Sequence, residues 1–169
     1  MSGKSARAHK KKNKALGALV TSIPYLKFMG ISFDLRENEL TAIIRYQDSL
    51  IGNPDLPALH GGAIAAFLEA SALIELSWAI LLKEIETSSF TLQLFEQGRG
   101  IEMPKTIDFT VDYLRTGQPR DAYAHAKVTR SGRRYASVSV EAWQDKRSHI
   151  FAQATGHFVV PSLGSGQKA

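Results

Sequence analysis

From Ala63 to Leu82 the chain runs twenty residues with only two charges, Glu69 and Glu75, and with alanine or a large apolar side chain at most other positions. A helix of that composition is apolar on nearly every side, and such a helix belongs at the centre of a fold rather than on its surface. By length alone the run passes for a membrane span, but each glutamate would be costly in hydrocarbon. A buried helix is expected instead, and the rest of the chain has to supply the layer that covers it.

The segments on either side read as strands. Ile31 to Arg36 and Glu39 to Tyr46 are two strands joined at Glu37-Asn38, a tight turn of the kind asparagine favours. Asp48 to Ala58, with Gly52, Asn53, Pro54 and Pro57, is expected to be a loop. After the helix, Glu84 to Gly100 gives no clear signal, and Ser89 to Phe95 fits a strand, a second helix or part of a lid. From Pro104 onward Ile107, Phe109, Val111 and Tyr113 alternate with Asp108, Thr110 and Asp112, the period of a half-buried strand. Asp121 to Thr129 and Arg133 to Trp143, joined at Ser131-Gly132, form a hairpin, and His149 to Val160 is a last strand. Two strands, one long helix, then several antiparallel strands define an α+β domain with a helix packed on a curved antiparallel sheet. Residues 13–160 are expected to form this single domain, between a basic flexible arm at 1–12 and a flexible tail at 161–169; Asn13 to Ser22 fits a short helix ending before Pro24.

Charge excludes less than it first suggests. The net charge is +5, yet six of the 21 basic residues (Lys4, Arg7, Lys10, Lys11, Lys12, Lys14) precede residue 15, where there is no acid. Without them 15 basic residues face 16 acidic ones, so the body is not a basic protein and nucleic-acid binding is not expected. There is no cysteine, which removes disulfides, thiolate metal sites and cysteine nucleophiles together. The first residues lack an apolar stretch followed by a small-residue cleavage site, so a cytoplasmic protein without membrane contact is expected. Glu75 and the hairpin arginines read as solvated, and Trp78 and Trp143 as core.

The run opens on Leu59-His60-Gly61-Gly62-Ala63, with Glu69 nine residues after the histidine, and Thr106 begins a strand whose end reads Tyr113-Leu114-Arg115. In these features, and over roughly Ile31 to Val160, the chain resembles the hotdog-fold acyl-CoA thioesterases of the phenylacetic-acid-degradation (PaaI) type. The resemblance implies a hotdog fold, a long central helix wrapped by a curved antiparallel sheet. It also implies hydrolysis of an acyl-CoA to free acid and CoA, with no metal and no cofactor besides the CoA carried by the substrate. His60-Gly61 would open the central helix, Glu69 would be the acid, and Thr106 the hydroxyl near the nucleophilic water or thioester. An Asn or Gln six residues before the histidine is common in the family; here Pro54 stands there, and Asn53 fills the role only if a one-residue bulge shifts it. Dimers, often paired into homotetramers, come with the family. A non-catalytic acyl-CoA binding or sensing protein on the same fold is the alternative.

The chemistry fits the residues. A helix N-terminus carries free N–H groups and about half a positive charge, which suits a developing oxyanion. Gly61, without a side chain, lets a thioester oxygen reach its amide, and Gly62 continues that surface. Glu69, among Ala65, Ala66, Ala72 and Leu73, is expected to be partly desolvated and to act as base or nucleophile. His60 orders the helix start. Arg130, Arg133 and Arg134 around Gly132 are candidates for the CoA phosphates, since guanidinium forks match phosphate oxygens. Eight residues of helix separate Gly61 from Glu69, about 12 Å. One carbonyl cannot meet both within a chain, so the site is expected to span a dimer interface.

Overall fold

A computed structural model of the protein describes residues 3–87 and 103–161. Among the described residues three α-helices, α1 (Gly3–Thr21), α2 (Pro24–Phe28) and α3 (Gly61–Thr87), accompany eight strands: β1 (Ile31–Arg36), β2 (Glu39–Ile44), β3 (Ile51–Asn53), β4 (Ala58–Leu59), β5 (Lys105–Tyr113), β6 (Ala122–Ser131), β7 (Tyr135–Trp143) and β8 (Ile150–Val159). Six of the strands form one antiparallel sheet in the order β1-β2-β6-β7-β8-β5. Its inner face packs on α3, which is the hotdog arrangement. The apolar run that passes for a membrane span by length and composition is thus the core helix, mostly buried.

Small side chains on the sheet let the helix sit close. Ala122, Ala124 and Ala126 of β6, Ala136 and Ala142 of β7, and Ala152 and Ala154 of β8 point inward and are buried. Against them α3 brings Phe67, Leu68, Ile74, Leu76 and Leu81, each no more than 1% exposed. Bulk on one layer matched by alanine on the other fills the interface at interior density.

Several sequence expectations need correction. The helix expected from Asn13 begins at Gly3 and takes in the basic run. It stops before Pro24, which opens α2, as a residue lacking an N–H does at a first helical position. Asp48 to Ala58 is not one loop: a 3₁₀ turn (Asp48–Leu50) leads into the small hairpin β3–β4. In the β1–β2 turn the left-handed residue is Glu37 (φ 57°), not the asparagine. Trp78 is core, but Trp143 lies on the outer face, stacked on Tyr123 and covered by the Arg147 guanidinium 5.2 Å from the ring centre. The region Ser89 to Gly100 and the tail from residue 162 lie outside the described residues.

The phase of β5 matters most for the site. Thr106 pairs with Phe158 and Asp108 with His157, so Ile107 is an extra residue, a bulge. Without it Thr106 and Tyr113, an odd number of residues apart, would face opposite sides of the sheet. With it both fall opposite inward-facing residues of β8, Phe158 and Ala152. Ile107 pays the cost, dropping out of the expected apolar face to stand 57% exposed.

Candidate active site

His60 caps α3. Its backbone N–H donates to the Leu50 carbonyl at 2.8 Å, and its own carbonyl accepts the first helical bond, from Ile64 at 3.0 Å. Its ring Nδ1 accepts the Gly62 N–H at 2.9 Å, which assigns the ring proton to Nε2. A histidine thus does the work usually left to serine or aspartate at an N-cap. With Gly62 committed, the Gly61 N–H has no acceptor among the described residues. The peptide that carries it has its carbonyl tied into the helix, so the N–H points off the helix end.

The two glycines are there for different reasons. A Cβ on Gly62 would come within 3.0 Å of the His60 ring, and one on Gly52 within 2.7 Å. Both positions make room for the cap. A Cβ on Gly61 would meet only the Tyr113 ring, at 3.5 Å, an ordinary contact. The fold itself does not demand glycine at 61.

Glu69 lies on the less buried side of α3, and its Oε1 accepts the Thr106 hydroxyl at 2.8 Å. The other end of β5 is tied to the helix start: the Tyr113 hydroxyl donates to the Gly61 carbonyl, also at 2.8 Å. The edge strand therefore holds acid and amide at opposite ends. The span of continuous helix between them keeps the separation near 12 Å.

Desolvation falls hardest on the other acid. Glu75, expected to be solvated, is half-buried, and burial, with a smaller contribution from the nearby Glu39 charge, pushes its carboxyl up to about 7. It faces the β2 side of the sheet, whereas Glu69 faces β5 at the opposite edge.

Asn53 ends β3 opposite Ala58, and the bulge of this hairpin falls at Gly52, before Asn53, so it does not take up the extra residue between Asn53 and His60. Its side-chain oxygen accepts the Asp55 N–H at 3.0 Å, and no contact joins it to Glu69 or Gly61. Arg130, Gly132, Arg133 and Arg134 sit exposed at the β6–β7 turn. Lys105 was not singled out from sequence, yet Tyr135, Val159 and Lys105 form one row across three strands. Two strand spacings, about 10 Å, therefore separate the arginine turn from the Thr106 end of β5. Under the first turns of α3 a narrow crevice is lined only by apolar side chains, among them Leu50, Leu59, Ile64, Phe67 and Phe151. Among the described residues no group of three acids or histidines is placed to hold a metal.

This architecture and this pair of chemical groups define a hotdog-fold protein with a carboxylate and a helix-end amide available to one face. The family described as the acyl-CoA thioesterase N-terminal domain matches residues 53–159, and the chain belongs to that family. It is similar to the medium/long-chain acyl-CoA thioesterase YigI of Escherichia coli K12, with 28% identity over 83% of this chain and 88% of that protein. A solved structure from Chromobacterium violaceum is 34% identical, with a TM-score of 0.62 over 92% of this chain and 96% of its own. A thioesterase-superfamily structure from Shewanella oneidensis shares the fold at 22% identity, with a TM-score of 0.69 over 89% of this chain and 97% of its own.

Proposed function

We propose that this thioesterase hydrolyses medium- to long-chain acyl-CoA, with Glu69 as base or nucleophile and the Gly61 N–H polarising the thioester carbonyl. The Glu69–Thr106 hydrogen bond carries the assignment, because it fixes one carboxylate oxygen and leaves the other for water or substrate. The chain length follows from the likeness to YigI. Arg130, Arg133 and Arg134, with Lys105, would take the CoA phosphates.

The site is shared between two copies. β5 is an edge of the sheet, nine residues long, with Ile107 57% and Tyr113 53% exposed. Such an edge invites pairing. A second copy laid antiparallel about the middle of β5 brings its Tyr113 opposite Thr106, and so its Gly61 towards Glu69. A dimer of dimers extends the same assembly.

Turnover of a panel of acyl-CoA thioesters by the parent and by Glu69→Ala tests the chemistry. Loss of hydrolysis in a folded variant that still binds acyl-CoA is expected, and full activity there would overturn the assignment. Mixing inactive Gly61 and Glu69 variants tests the shared site, since exchange of subunits should restore activity in heterodimers. Tight acyl-CoA binding without turnover by the parent would favour the sensing alternative.

A further inference from the structure

We propose that Tyr113 is a positioning residue that aims the Gly61 amide at the thioester carbonyl; this rests on the reading of Gly61 given above. The carbonyl of Gly61 and the N–H of Gly62 belong to one planar peptide unit. Tyr113 holds the carbonyl end of that unit at 2.8 Å and His60 Nδ1 holds the N–H end at 2.9 Å. Both ends of the plane are fixed from outside the helix backbone. The neighbouring His60–Gly61 unit, which carries the amide in question, shares the Gly61 Cα as its pivot. Its own carbonyl is bonded to the Ile64 N–H at 3.0 Å, so it cannot turn without breaking that bond or the clamp.

The first turn of a helix is where fraying is easiest, and two adjacent glycines make it easier. An amide that stabilises an oxyanion is effective when its direction is set before charge develops. The tyrosine supplies what the glycines remove. Its ring also lies along the Gly61 Cα, where an added Cβ would meet Cζ and the hydroxyl oxygen at 3.5 Å. That contact restricts the glycine without filling the space in front of the amide. Tyr113 reaches Gly61 from the inward face that it shares with Phe109 and Val111, and the Ile107 bulge brings Thr106 onto that same face at the other end of β5.

The test uses Tyr113→Phe, which keeps the ring and removes the donor. Its kcat on a long-chain acyl-CoA should fall about three- to tenfold, the size of one lost hydrogen bond, with KM little changed. Polarisation is read directly by the infrared carbonyl stretch of an isotope-labelled acyl-CoA bound to the full-length Glu69→Gln protein. The stretch should shift to lower frequency on binding, and adding Tyr113→Phe should reduce that shift, with thermal melting unchanged. A bound-state shift that is present but insensitive to Tyr113→Phe overturns the positioning role and leaves the Gly61 assignment standing. No shift in the Glu69→Gln protein overturns both. A rise in KM with kcat and carbonyl shift unchanged would assign Tyr113 to ground-state binding and likewise overturn the proposal.

Discussion

Glu69 and Glu75 occupy the same helix six residues apart, and the structure treats them in opposite ways. Glu69 is given a hydroxyl donor and lies beside an open sheet edge. Glu75 has no hydrogen-bond partner among the described residues and is pushed up to about 7 by burial and by Glu39. A carboxyl at about 7 is matched to base chemistry at neutral pH. Glu75 lacks the amide, the hydroxyl and the open edge that would bring a substrate to it. A carboxylate becomes chemistry through what surrounds it in three dimensions, and burial by itself gives a stability cost.

The largest effect that can break this comparison is at Glu69. Glu69→Ala should lower kcat by about 10³-fold or more while the melting temperature stays near that of the parent. If Glu75→Gln abolished hydrolysis and Glu69→Ala spared it, the two roles would be reversed. Gly61→Ala comes next, with a loss of about 10²-fold in kcat/KM, as when an oxyanion donor is lost. Because the added methyl meets only ordinary contacts within the chain, stability should hold or rise by up to about 1 kcal/mol, the helix propensity of alanine over glycine. Denaturant titration beside the activity assay separates the two outcomes.

Glu75 sharpens the contrast through pH. Its folded-state pKa lies above that of an unfolded carboxyl, so the native state holds the proton longer. That stabilising contribution is complete below about 4.5 and is lost as pH rises through about 7. Glu75→Gln should therefore match the parent at low pH and exceed its stability at pH above 8 by something on the order of 3 kcal/mol, with hydrolysis intact. Unfolding curves across that range would expose a parent that shows no such slope. The smallest effect is at Thr106, where Thr106→Val should cost about tenfold in kcat through one lost hydrogen bond, measured with saturating substrate.

Much of this was legible in the chain. The apolar run announced a core helix, and the His60-Gly61-Gly62 step marked its start. Strand alternation on either side placed the sheet to within a few residues. What misled were features whose meaning depends on neighbours far away in sequence. The alternation around Ile107 looked unbroken because a bulge is defined by its partner strand, here His157 and Phe158, about fifty residues on. Glu75 looked like a surface residue because nothing local shows which side of an almost uniformly apolar helix meets the sheet.

The sequence by itself determined the class of fold, the start of the core helix and the spacing that holds Gly61 and Glu69 about 12 Å apart, because these depend on local period and helix rise. Only the tertiary structure decided that His60 caps the helix through its ring, that Thr106 and Tyr113 share a face, and that of two acids one is paired and the other is buried. Each of those depends on register between strands and on which face of α3 the sheet covers, and neither is written in any single stretch of residues.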